Sequence, residues 1–177
     1  KKFIDRKNKY NEKKLTNSIF KDIALNMFTE SFSTTLYDST MISLWVFMEG
    51  EFKGYCRAMQ NAMGIKLNYS DLSGSSIDKF KTYTQKVANL DFNLTDENWE
   101  DLKAINEIRN SMVHSDGIAR NKILLGNFIK RHKLNNLLEG DRIVLDKHSL
   151  EIIITYCRLV IERIYVVALK RFPEVKK

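Results

Sequence analysis

At 177 residues, 44% hydrophobic and 29% charged, the chain has ordinary globular composition and is long enough for one domain with a real core. One Pro and seven Gly exclude a loop-rich or all-β chain, whose turns would need more of both, and leave a mostly helical one. The net charge of +7 belongs to the ends, since residues 1–14 hold seven Lys/Arg against two acids and residues 170–177 four against one, leaving −1 for the body.

Residues 1–14 are expected to form a frayed basic extension, with the helical domain over 15–177. Thr16-Asn17-Ser18 offers an N-cap, and Ile19, Ile23 and Met27, flanked by Phe20, Ala24 and Phe28, predict a helix that runs on towards Phe32 and Leu36. Asp38-Ser39-Thr40 reads as a break and the cap of a second helix. In it Met41, Trp45, Met48, Phe52, Tyr55, Met59 and Ala62 alternate spacings of four and three up to Gly64. Residues 67–76 read as a loop. Ser75 or Ser76 caps a third helix with Ile77, Phe80, Thr84, Val87 and Leu90 inward, and residues 91–94 connect it to the next.

Thr95 caps the fourth helix, where Asp96, Glu97, Glu100 and Asp101 complement the dipole and are not read as catalytic carboxylates. A fifth helix between Arg120 and Leu138 ends at Gly140-Asp141, and residues 142–145 form a short extended segment. Ser149 caps the last helix, from Leu150 to Phe172, stopped by Pro173. Nearly every face of it is apolar except that of Arg158 and Glu162, so it needs burial by other helices or by a second copy of the chain. The expected fold is all-α, with about five to six helices and one short extended segment. Charges at Arg158, Glu162 and Arg163 interrupt the longest apolar run and disqualify it as a membrane span. Cys56 and Cys157 lack a CxxC spacing and are expected as buried free thiols, which suits a cytoplasmic setting.

One residue breaks the pattern. Leu102, Ile105, Ile108, Met112 and Val113 form the apolar stripe of the fourth helix, and Arg109 falls inside it. A permanently charged guanidinium placed there calls for an anion, a carbonyl cluster or a substrate phosphate. Asp116-Gly117 reads as the helix stop, which would leave His114 at the last turn, where the backbone can bend it back towards Arg109. His132 and His148 lie in polar surroundings and are expected to be solvated. Arg120, Lys122, Lys130, Arg131 and Lys133 follow with no acid between them and suggest a basic rim. Gly-rich phosphate loops, HExxH, GxSxG and paired Cys or His at ligand spacing do not occur, so P-loop hydrolysis, zinc chemistry and an elbow-type serine nucleophile lack support.

Arg109-Asn110-Ser111-Met112-Val113-His114 resembles the signature of HEPN domains, which is Arg, a polar residue, a few more residues and then His near the end of a helix in a helical bundle. The hydrophobic helices before the motif and the long apolar helix after it extend a weaker resemblance over residues 15–172. The resemblance implies an endoribonuclease that needs no metal or other cofactor and acts as a homodimer bringing two Arg–His pairs into one cleft. Such proteins serve as toxins or in anti-phage defence, with RNA as substrate and an antitoxin or other defence protein as a further partner.

The residue types agree with that chemistry. An imidazole can take the proton of a ribose 2′-hydroxyl or give one to the departing 5′ oxygen, and a fixed guanidinium can hold the scissile phosphate. Asn110 would orient His114 or bind phosphate, with Ser111 beside it. The competing reading is a non-catalytic helical module that dimerises and binds a partner, nucleotide or nucleic acid. There, Arg109 would pack its stem and pair with Glu49, Asp78 or a similar acid, and His114 would only cap carbonyls.

Overall fold

A computed structural model describes residues 2–172 of the chain, with side chains from residue 19 onward. Among the described residues there are five α-helices and one small hairpin, an all-α fold. They are α1 (Lys2–Met63), α2 (Ser76–Thr82), α3 (Asp96–His114), α4 (Lys122–His132) and α5 (Lys147–Arg171), with β1 (Leu138–Glu139) and β2 (Arg142–Ile143) before the last helix. None of the helices is long and apolar enough to cross a membrane. The chain divides into two units, Lys1–Leu36 and Tyr37–Lys177.

Helix α1 departs most from the expectation. Residues 2–14 are helical rather than frayed, and Asp38-Ser39-Thr40 does not interrupt the helix. Hydroxyl residues within a helix avoid breaking it by bonding back one turn, and Thr29, Thr34 and Thr35 donate in this way to the carbonyls of Leu25, Glu30 and Ser31 at 2.9–3.0 Å. In the first unit the apolar residues Ile19, Phe20, Ile23, Met27, Phe28 and Phe32 are 49–68% exposed. In the second, Met41, Trp45, Met48, Phe52, Cys56 and Met59 are buried at spacings of four and three, while Ala62 is exposed. The helix stops at Gly64 in the left-handed conformation, φ +66°.

The core of the second unit forms where this stripe meets Ile77 and Phe80 of α2, Trp99, Leu102, Ile105 and Ile108 of α3, Leu125 and Phe128 of α4, and Ile153, Cys157, Val160 and Ile164 of α5. Phe52, Phe80 and Phe92 stack in series, with centroids 4.3 and 5.8 Å apart. Burying each such side chain contributes about 1.5–3 kcal/mol. Ser75 caps α2 by accepting from the Asp78 amide, and a π-helical turn, Tyr83–Val87, continues it.

Helix α4 ends at His132, earlier than expected, because Lys133 turns left-handed at φ +56°. Gly140-Asp141 is the turn of the hairpin instead, pairing Leu138 with Ile143 and Glu139 with Arg142. Asp146, not Ser149, caps α5, and Ser149 is its N3 partner in a reciprocal capping box. Pro173 lies outside the described residues. Helix α5 buries one face only; Ile154, Leu159, Tyr165 and Val166 on its other sides are exposed.

Candidate functional site

Helix α3 carries the candidate site, and both of its ends are fixed by local chemistry. Thr95 accepts from the Asn98 amide while Asn98 accepts from the Thr95 amide, a capping box that starts the helix where the sequence indicates. At the other end Ser115 closes the helix and Asp116 and Gly117 both take positive φ, which returns the Gly117 amide to the Ser111 carbonyl at 2.9 Å. The Gly117 carbonyl then accepts from the Ile143 amide at 2.8 Å, tying the end of α3 to β2. The helix buries Leu102, Ile105 and Ile108; Met112 is half-buried and Val113 exposed, so the apolar stripe ends a turn sooner than its sequence pattern.

Arg109 is half-buried at the edge of that stripe. Its Nη1 donates to Asn110 Oδ1 at 2.9 Å, its Nε is buried without an acceptor, and it makes no ion pair among the described residues. Asp78, one of the acids that could have neutralised it, pairs instead with Lys103 at 2.7 Å. His114 is exposed and still helical. It therefore stands about 7.5 Å along the axis and about 140° around it from Arg109, and the backbone does not bend it back. Within one chain the two side chains share no hydrogen bond, although both belong to the last two turns of α3.

The supporting residues divide. Asn110 accepts from the Arg109 guanidinium and makes no hydrogen bond to His114, so within one chain it holds the arginine and does not orient the imidazole. Ser111 is fully buried and donates to Glu107 Oε1 at 3.3 Å, so its hydroxyl is directed into the fold and not to a phosphate. Glu107, which the sequence reading passed over, also accepts from the amides of Arg120 and Asn121 at 3.0 and 3.1 Å. It thereby fixes the loop that joins α3 to α4. Through that loop Arg120 donates from Nη2 to the His114 carbonyl at 3.1 Å, placing a cation on the negative end of the α3 dipole.

The basic rim is less uniform than its sequence. Lys130 and Lys133 are exposed and make no ion pair among the described residues, whereas Lys122 pairs with Asp141 at 2.6 Å. Arg131 is turned inward, donating from Nε and Nη2 to Asp101 Oδ1 and from Nη1 to Glu100. Asp101, only 3% exposed, is no mere dipole partner, because its second oxygen meets His132 Nε2 at 2.8 Å. Burial is the largest single influence on Arg131 and opposes its charge, but the hydrogen bonds and negative charges of Asp101 and Glu100 together outweigh it and raise the guanidinium's pKa. His132 is correspondingly half-buried, tilted against Phe128 with Tyr156 beside it, rather than solvated. Residues thirty apart in sequence build this cluster, and nothing in their local patterns signals it.

Cys56 and Cys157 are buried and free, and burial pushes both thiols up to about 12. No group of three or more His, Cys, Asp or Glu among the described residues is arranged to hold a metal ion. Compared with protein-family models, with curated proteins and with solved structures, the chain finds no match.

Proposed function

We propose that the chain is an endoribonuclease of the HEPN type, cleaving RNA without a metal through Arg109 and His114. The observation that carries this reading is Arg109: a half-buried guanidinium held by its neighbour Asn110, with a buried Nε and no carboxylate on it. Such a group costs stability unless an anion completes it, and an RNA phosphate is an anion of the right geometry. His114, exposed beyond it, would take the 2′-hydroxyl proton or supply one to the leaving 5′ oxygen, giving a 2′,3′-cyclic phosphate and a 5′-hydroxyl.

The separation of Arg109 and His114 on one helix favours a site completed by a second copy, whose His114 could stand opposite this chain's Arg109. The exposed apolar residues of α5, and separately those of α1 between Ile19 and Phe32, are each surface that dimerisation would bury. A toxin or anti-phage effector in the cytoplasm, held in check by an antitoxin, is the setting in which such an activity would serve.

The test is cleavage of single-stranded RNA in EDTA. Arg109→Ala and His114→Ala should each lower the rate by about 10²-fold or more while remaining folded. Undiminished cleavage by both variants overturns the proposal, and folded wild-type dimer that cleaves no RNA favours the non-catalytic module.

A further inference from the structure

We infer that the recess formed by α1, the short turn Tyr69–Asp71 and α2 is a binding site for a phosphate group. Lys53, Arg57 and Gln60 stand at i, i+4 and i+7 on α1 and so share one face, Lys79 comes from α2, and Asn68, Tyr69 and Ser70 close the third side around about 390 Å³. That volume is within the range of small-ligand sites. Three cations and no carboxylate line it.

Two acids adjoining it in sequence are already committed, while Glu49 lies close enough for its charge to add to burial in raising the pKa of the Tyr69 phenol. Asp71 accepts from the Asn68 amide at 3.1 Å, and Asp78 is paired with Lys103 and bonded to the Ser75 hydroxyl, both at 2.7 Å. Lys53, Arg57 and Lys79 make no ion pair among the described residues. Like charges gathered around one recess repel each other, and an anion between them relieves that cost.

The polar groups are set for an acceptor-only ligand. Gln60 Nε2 donates to Asn68 Oδ1 at 2.9 Å, which spends the Asn68 acceptor and leaves its amide hydrogens to point elsewhere. Tyr69 donates its hydroxyl to the Ser76 carbonyl at 2.9 Å and meets Tyr83 edge-on at 6.4 Å, so its ring is a fixed wall. A phosphate, with oxygens that only accept, matches lysine, guanidinium, amide and hydroxyl donors from three sides. Either an RNA backbone or a free nucleotide could bring it. The inference does not use Arg109 and stands whether or not the chain cleaves RNA.

Titration of the full chain with inorganic phosphate, adenosine monophosphate and a short single-stranded RNA distinguishes these sources. A Lys53→Gln/Arg57→Gln/Lys79→Gln variant, checked for unchanged helicity, should bind about tenfold or more weakly. A loss for the two small ligands assigns the site to a nucleotide. A loss for RNA alone, with the salt slope falling by about 2, assigns it to the backbone. Equal binding by the folded triple variant overturns the inference, as does failure of the wild type to bind any of the three at millimolar concentration.

Discussion

Arg109 costs the fold something where it stands. A buried donor without an acceptor carries a penalty of about 1–3 kcal/mol, so Arg109→Met, which keeps the stem and removes the head, should raise stability by about 1 kcal/mol while abolishing cleavage. Urea melts and the RNA assay on one preparation check both halves; a Met variant that is clearly less stable would mean the guanidinium serves the fold. Asp101 is the opposite case. Asp101→Asn removes the buried carboxylate that accepts from Arg131 and meets His132 Nε2, leaving Arg131 only the more exposed Glu100, and should cost about 2–3 kcal/mol, discounted because Arg131 is a quarter exposed. Acid sensitivity has its own residues: hydrogen bonds from Lys103 and Ser75 hold Asp78 below the usual carboxylate range, and Ser149 does the same for Asp146. A depressed folded-state pKa gives stability that is present above the unfolded value of 3.8 and is lost as pH falls through the folded one. Asp146→Asn, which keeps the cap but cannot titrate, should therefore lose less stability than wild type between about pH 5 and pH 2.5 in denaturant titrations.

At the scale of elements, caps decide where α3 begins and ends. Thr95→Ala should cost about 1 kcal/mol, and Gly117→Ala a similar amount, because φ +80° strains any side chain there even though a Cβ would meet the Ile143 carbonyl only at 3.6 Å. Thermal melts of the two variants measure this. These signals were legible in the sequence since a cap is a local event: Ser75, Thr95, Gly64 and the Asp116-Gly117 stop all act within a few residues. Arg109 was legible for the same reason, as a charge out of phase with a stripe. The break assigned to Asp38-Ser39-Thr40 failed because the same hydroxyl residues that cap a helix can also sit inside one, and only the surrounding packing decides. Asp101 with Arg131 and His132, and Glu107 with the loop amides of Arg120 and Asn121, were illegible because each joins segments whose approach depends on the whole fold.

For the whole molecule, the unresolved demand is apolar surface. Ile19, Phe20, Ile23, Met27, Phe28 and Phe32, at 49–68% exposure, together leave roughly 800 Å² uncovered, about what one partner of a standard interface buries. Charge favours pairing two such helices head to tail, since residues 1–21 hold eight Lys/Arg and two acids whereas residues 22–52 hold five acids and no Lys/Arg. Wild type should sediment as a dimer at micromolar concentration, and Met27→Glu/Phe28→Glu should shift it to monomer; a wild-type monomer would leave the proposed composite cleft without support. The two thiols offer a way to time such events. With Cys56 and Cys157 shut in the core and almost wholly protonated at neutral pH, neither offers a thiolate to attack an aromatic disulfide reagent until the helices part. Colour development in dilute denaturant is thus a stopwatch for opening of the Tyr37–Lys177 unit, and a ligand that holds that unit closed should slow it.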